Sequence, residues 1–158
     1  MKLKEIFYGL GMRPRAREYP YELTTFHLPV DGDIEFALWN HPSAKRRADA
    51  GKGVQLTQPM VDVIRQFLKP GDVAIDIGAH TGDSTVPIAL AVEAAGAVFA
   101  LEPNMFAYKV LLPNAALNKK KMNIIPLNFA ATPTDGNFEF EYSDPGFCNG
   151  GLHQHVGR

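Results

Sequence analysis

Three short apolar runs, Val73–Ile77, Ala97–Leu101 and Ile124–Phe129, are the strongest constraint in this sequence, because the stretches between them have helical character. Residues 84–95 and 105–118 carry apolar positions at helix spacing, and each is long enough for one crossover. Strand, helix, strand, helix, strand implies right-handed crossovers and a parallel sheet. The first run is apolar at alternate and intervening positions, as in a strand buried on both faces. The third contains Pro126, which has no N–H to give a ladder and so predicts an edge strand. Pro113 falls within the second helical stretch, where it predicts a kink or a break.

Upstream, Phe26, Leu28 and Val30 alternate with polar residues, as do Ile34, Phe36 and Leu38, and Asp31-Gly32 lies between the runs. That pattern predicts a β-hairpin over residues 25–38. Residues 40–56 read as a loop. A helix is expected from Thr57 as N-cap, with Met60, Val63, Ile64, Phe67 and Leu68 on its buried face and Lys69-Pro-Gly-Asp72 as its stop. Residues 1–22 read as a solvated arm bearing Arg13, Arg15 and Arg17. Beyond Asp135-Gly136, the alternation of Phe138, Phe140 and Tyr142 predicts additional antiparallel strands. The expected organisation is therefore an arm and hairpin over 1–56 and a Rossmann-like unit over 57–158.

At 158 residues the chain has the length of one domain. Sixteen Lys and Arg against seventeen Asp and Glu give a net charge of −1, so neither nucleic acid nor an anionic membrane is attracted by the chain as a whole. Lys45-Arg46-Arg47 and Lys119-Lys120-Lys121 read as solvated helix ends or loops, with no aromatic residues interleaved as a single-strand binder would need. The one cysteine, Cys148, excludes an intramolecular disulfide, and the expected location is cytoplasmic. Cys148 with His153 and His155 falls short of the ligand set of a zinc site.

Chemistry concentrates in Asp76-Ile-Gly-Ala-His-Thr-Gly-Asp-Ser84, directly between a strand and a helix. Gly78 and Gly82 allow a ligand close to the backbone, and the helix start offers N–H groups. Glu102, at the end of the next strand, is placed as the acidic residue that accepts a ribose diol in such folds. The dinucleotide fingerprint wants glycine where this chain has His80 and Asp83. Asp83 would also oppose a pyrophosphate. The turn leaves NAD and S-adenosylmethionine both open, and its acidity favours the ligand without phosphate.

The same segment, with Val98-Phe-Ala-Leu-Glu-Pro-Asn104, Tyr108, Asn114, Leu117-Asn118 and the lead-in Phe67-Leu-Lys-Pro-Gly-Asp72, resembles the FkbM-type family of class I methyltransferases over about residues 57–142. The resemblance implies a Rossmann-like fold that binds S-adenosylmethionine and O-methylates a small-molecule acceptor. It implies that Asp76, Gly78, Ala79, His80 and Gly82 form the loop beside the methionine part of the cofactor. By the same resemblance Glu102 holds the ribose, Pro103 and Asn104 flank the adenine, and Asn128 and Phe129 line its other side. His80 stands where related sequences commonly have Asn or Gly. No general base is identified, although His80 is a candidate. Relatives continue with a further acidic strand that this sequence lacks, so strand 73–77 is expected to carry an uncovered edge through which copies could associate. A piece of a longer methyltransferase, a non-catalytic module and an NAD-binding domain are the readings that follow.

Overall fold

The computed structural model describes residues 18–137, 139–140 and 152–153. Strands β1 (Tyr21–Leu28) and β2 (Gly32–Trp39) form the expected antiparallel hairpin. Its connection is the three-residue turn 29–31, and Gly32 opens β2 at φ +72° rather than sitting inside a two-residue turn. Phe26 meets Phe36 edge to face at 5.9 Å, a cross-sheet pair that fixes which side of the ribbon is buried.

The segment expected to be a loop contains α1 (Pro42–Asp49). Pro42 occupies the first turn, where no N–H is missed, and the Ser43 N–H donates to Nδ1 of the capping His41. Arg46 and Arg47 lie in the last turn, opposite the negative end of the helix dipole. Helix α2 (Gln58–Ile64) follows, preceded by Thr57, which makes no side-chain cap. Only Val61 and Gln58 of α2 are buried. Met60, Val63 and Phe67 are exposed, contrary to the face predicted for them. The helix docks through polar groups instead: the Gln58 Oε1 accepts from the N–H groups of Val30 and Asp31, and Arg65 grips Asp31 with two hydrogen bonds of 3.0 and 2.6 Å.

The sheet is β3 (Val73–Ile77), β4 (Ala97–Leu101) and β5 (Ile124–Leu127), parallel and in the order β3-β4-β5. β5 is marginal, as Pro126 predicts, and Pro126 pairs opposite Ala100. Helices α3 (Thr85–Val92) and α4 (Met105–Ala116) are the crossovers. Because both steps move in the same direction across the sheet, right-handed connections place both helices on one face. There Val98, Ala100 and Ile124 share a core with Val86, Ala89 and Leu90 of α3 and Leu111 of α4. The hairpin contributes Leu28, Ile34 and Phe36 to that core, so the extension and the sheet are packed together. α3 is buried along almost its whole length, which suits its lack of any polar face. α4 runs uninterrupted through Pro113, so the expected break does not occur.

The opposite face of the sheet differs. Val73, Ile75 and Ile77 of β3 are 64%, 65% and 66% exposed. β3 thus has the composition of a central strand in a marginal position. Near the other end of the described chain, Glu139–Phe140 (β6) pairs antiparallel with Leu152–His153 (β7). Phe138, Tyr142, Cys148, His155 and the arginines of the N-terminal arm lie outside the described residues. Among the described residues no helix is long and apolar enough to cross a membrane.

Candidate functional site

Parallel strands end at a common level, so the loops after β3, β4 and β5 converge at the carboxyl edge of the sheet, where ligands bind in open α/β folds. The first is the glycine-bearing turn. Gly78 has φ +84°, and a Cβ placed there would meet nothing within 4 Å, so the backbone is open to a ligand. Gly82 has φ +101° for a different reason: a Cβ would lie 3.2 Å from Leu111, so this glycine seats the turn on α4. The turn's own N–H groups are largely used internally. Gly78 and Ala79 donate to the Leu101 carbonyl, Gly82 to Ala79 and His80 to Glu102. The cradle of free N–H groups anticipated at this helix start is correspondingly smaller.

Four of the predicted polar site residues, Asp76, Glu102, Asn104 and Asn128, hold these loops or the helix starts that follow them. Asp76 Oδ2 accepts from the hydroxyls of Ser84 (2.9 Å) and Thr85 (2.6 Å), tying the end of β3 to the start of α3. Glu102 is 3% exposed; its Oε2 accepts from the His80 N–H at 2.7 Å and its Oε1 from the Asn104 N–H at 2.6 Å. Through these two bonds Glu102 holds the first loop against the second. Asn104 is buried and caps α4, its side-chain oxygen accepting from the N–H groups of Phe106 and Ala107. Asn128 donates to the carbonyls of Glu102 and Pro103, which binds the third loop to the second. Ala79 is fully buried, and Pro103 half-buried. Ile77, Gly78 and Phe129 are exposed on these loops, the last at 63%.

His80 differs from all of these. It adopts φ +50°, a left-handed backbone that Gly or Asn tolerates better. Its Nε2 is buried with no hydrogen-bond partner among the described residues. Its ring lies 5.8 Å from that of Trp39 on β2. Both line a cavity of about 600 Å³ between the hairpin, α1 and the turn.

Asn114 was visible in the sequence only as part of a resemblance, and it proves central. Fully buried on α4, it accepts from the Ala37 N–H (2.6 Å) and donates to the carbonyls of Ala37 (3.1 Å) and Thr81 (2.7 Å). One amide thereby joins the hairpin, α4 and the glycine turn. No local pattern announces such a contact.

These elements define a Rossmann-like α/β domain whose loops at the carboxyl edge are locked together. No family model matches the chain, and no curated protein matches it. Two solved structures from Pyrococcus horikoshii are similar to it. One is PH0793, named only provisionally as a transferase, with 21% identity over 68% of this chain and 36% of that one, at a TM-score of 0.44. The other is TYW2 in complex with MeSAdo, with 18% identity over 80% of this chain and 46% of that one, also at 0.44. The chain spans less than half the length of either.

Proposed function

We propose that the chain binds S-adenosylmethionine at the carboxyl edge of β3–β5 and is, or forms part of, a methyltransferase acting on a hydroxyl of a small molecule, of the FkbM type. The observation that carries this reading is the turn after β3, open at Gly78 and held by Glu102 at the end of β4. A pyrophosphate suits this turn poorly, since Asp83 carries a negative charge beside it and two fingerprint glycines are replaced. When bound, the cofactor supplies a methyl group on a sulfonium that already contains its leaving group, so few protein groups are required. This chain's part is positioning: Gly78 admits the ligand to the backbone, Phe129 offers a flat apolar surface for a base, and Glu102, Asp76 and Asn128 keep the loops in register.

Titration calorimetry of the 158-residue chain with S-adenosylhomocysteine, with NAD as the alternative ligand, tests the reading. Micromolar binding of the homocysteine compound, weakened about tenfold in Phe129→Glu, is the expected result. Binding of NAD in its place, or of neither by folded protein, overturns it.

A further inference from the structure

The cavity between the hairpin, α1 and the glycine turn has a lining of two distinct kinds. Its apolar lining is made by the buried or half-buried Leu38, Trp39, Ala44 and Val54. At its mouth stand Lys45, Arg47 and Lys52, all exposed. None of the three forms an ion pair with any described residue; the pairs that do form involve His27, Arg65 and Lys109. Two carboxylates also line it, Glu22 and Asp83, and Glu22 already accepts a hydrogen bond from Asn40 at 2.7 Å. The balance of charge at the mouth is positive. At about 600 Å³ the cavity is within the range of small-molecule sites, about 300–1,000 Å³.

A second, independent observation comes from His80 on the cavity's floor. A buried ring nitrogen without a partner, on a residue held in a left-handed backbone, is a doubly unfavourable arrangement. Native proteins rarely leave such a group unsatisfied unless a ligand or water completes it. The neighbouring Thr81 hydroxyl, 3.4 Å from Nδ1, does not relieve Nε2.

We infer that this cavity binds a small amphipathic anion: an apolar or aromatic body against Trp39 and Val54, a carboxylate or phosphate monoester among Lys45, Arg47 and Lys52, and a polar group hydrogen-bonded to His80 Nε2. The ligand chemistry follows from the lining whether or not a cofactor binds across the turn. If the methyltransferase reading holds, the occupant is the methyl acceptor.

Two-dimensional ¹H–¹⁵N NMR of the whole chain, titrated without cofactor, tests the inference with four probes: 4-hydroxybenzoate, phenyl phosphate, neutral 4-hydroxybenzamide and inorganic phosphate. The expected result is that one or both aromatic anions bind at least tenfold more tightly than the amide and than inorganic phosphate. The ratio between the two identifies the anionic group. Binding should shift the His80 imidazole ¹⁵N resonances and be lost in Arg47→Glu/Lys52→Glu, an exposed pair whose replacement leaves the core intact. His80→Asn, which tolerates the left-handed backbone, should weaken binding several-fold with no loss of thermal stability. Equal binding of benzoate and benzamide overturns the inference, as does inorganic phosphate binding as tightly as phenyl phosphate. Anion binding unaffected by both variants overturns it as well. Homocysteine-compound binding without anion binding sinks this inference alone, and the converse sinks the cofactor reading alone.

Discussion

At the scale of single residues, Glu102 and Asp31 show how carboxylates organise a fold through backbone and side-chain donors. Glu102 satisfies two backbone N–H groups from different loops, one buried and one part-buried, so its removal strands both. Glu102→Ala should cost about 2–4 kcal/mol in urea denaturation. Unchanged stability would show the brace to be energetically silent. Asp31 is opposed by burial, which on its own raises its pKa. The hydrogen bonds from Arg65 and Gln58 and the charges of Arg65 and Lys121 outweigh burial and hold it below the usual carboxylate value. Arg65 is shifted upward, chiefly by its hydrogen bond to Asp31, and stays charged throughout. Since the folded state favours the ionised carboxylate, the stabilisation is complete above the ordinary carboxylate range. It is lost as pH falls through the depressed folded value. Urea midpoints measured from about pH 7 down to about pH 3 should therefore fall more steeply for the native chain than for Asp31→Asn, which should start lower by about 1–2 kcal/mol. Parallel profiles would show the pair to be energetically silent.

At the scale of elements, the hairpin's outer edge is closed by a helix in place of a third strand. Asn114 and Asn118, one helical turn apart on and just beyond α4, each bond both the N–H and the carbonyl of one residue of β2: Asn114 those of Ala37, Asn118 those of Glu35. The two β2 residues so held are alternate ones, about 6.7 Å apart along the strand. Asn114→Ala leaves the Ala37 N–H and carbonyl buried and unpaired and should cost about 2–4 kcal/mol, with Asn118→Ala, at the exposed end, costing under half of that. Amide exchange at Ala37 should accelerate in the first variant; unchanged protection would mean that β2 is held by packing alone. Contacts of this kind also set the limit of what was legible beforehand. β3, β4 and β5 were legible because an apolar run between turns is local information, and the glycine turn was legible for the same reason. α1 was missed because its signals are a proline, a histidine cap and basic residues, not an apolar stripe. The buried face of α2 was misassigned because Arg65 and Gln58 dock it by reaching the hairpin turn, 34 and 27 residues away from Asp31. Periodicity cannot register a helix held by polar side chains. The backbone bonds made by Glu102, Asn104 and Asn114 were not legible, since their partners are fixed by tertiary structure.

At the scale of the molecule, the two faces of the sheet are unequal. One carries α3, α4 and the hairpin; the other exposes Val73, Ile75 and Ile77 along the marginal strand β3. An unshielded apolar strand at a sheet edge favours pairing with another strand, and its flanking side chains gain about 25 cal/mol for each Å² of apolar surface they remove from water. The 158-residue chain should therefore self-associate as its concentration rises, with β3 in the contact. Ile75 lies at the centre of the exposed row, where a lysine would oppose the same charge in any copy paired about a two-fold axis. Because Ile75 is already 65% exposed, Ile75→Lys should lower folding stability by less than about 1 kcal/mol while shifting the sedimentation-velocity profile toward monomer. The exposed positions Met60 and Val63 of α2 and Phe67 in the turn after it supply the control. If Phe67→Lys disperses the protein and Ile75→Lys does not, association runs through the helix layer and the sheet edge is incidental. A chain that remains monomeric at every concentration would show that the exposed row is tolerated without a partner.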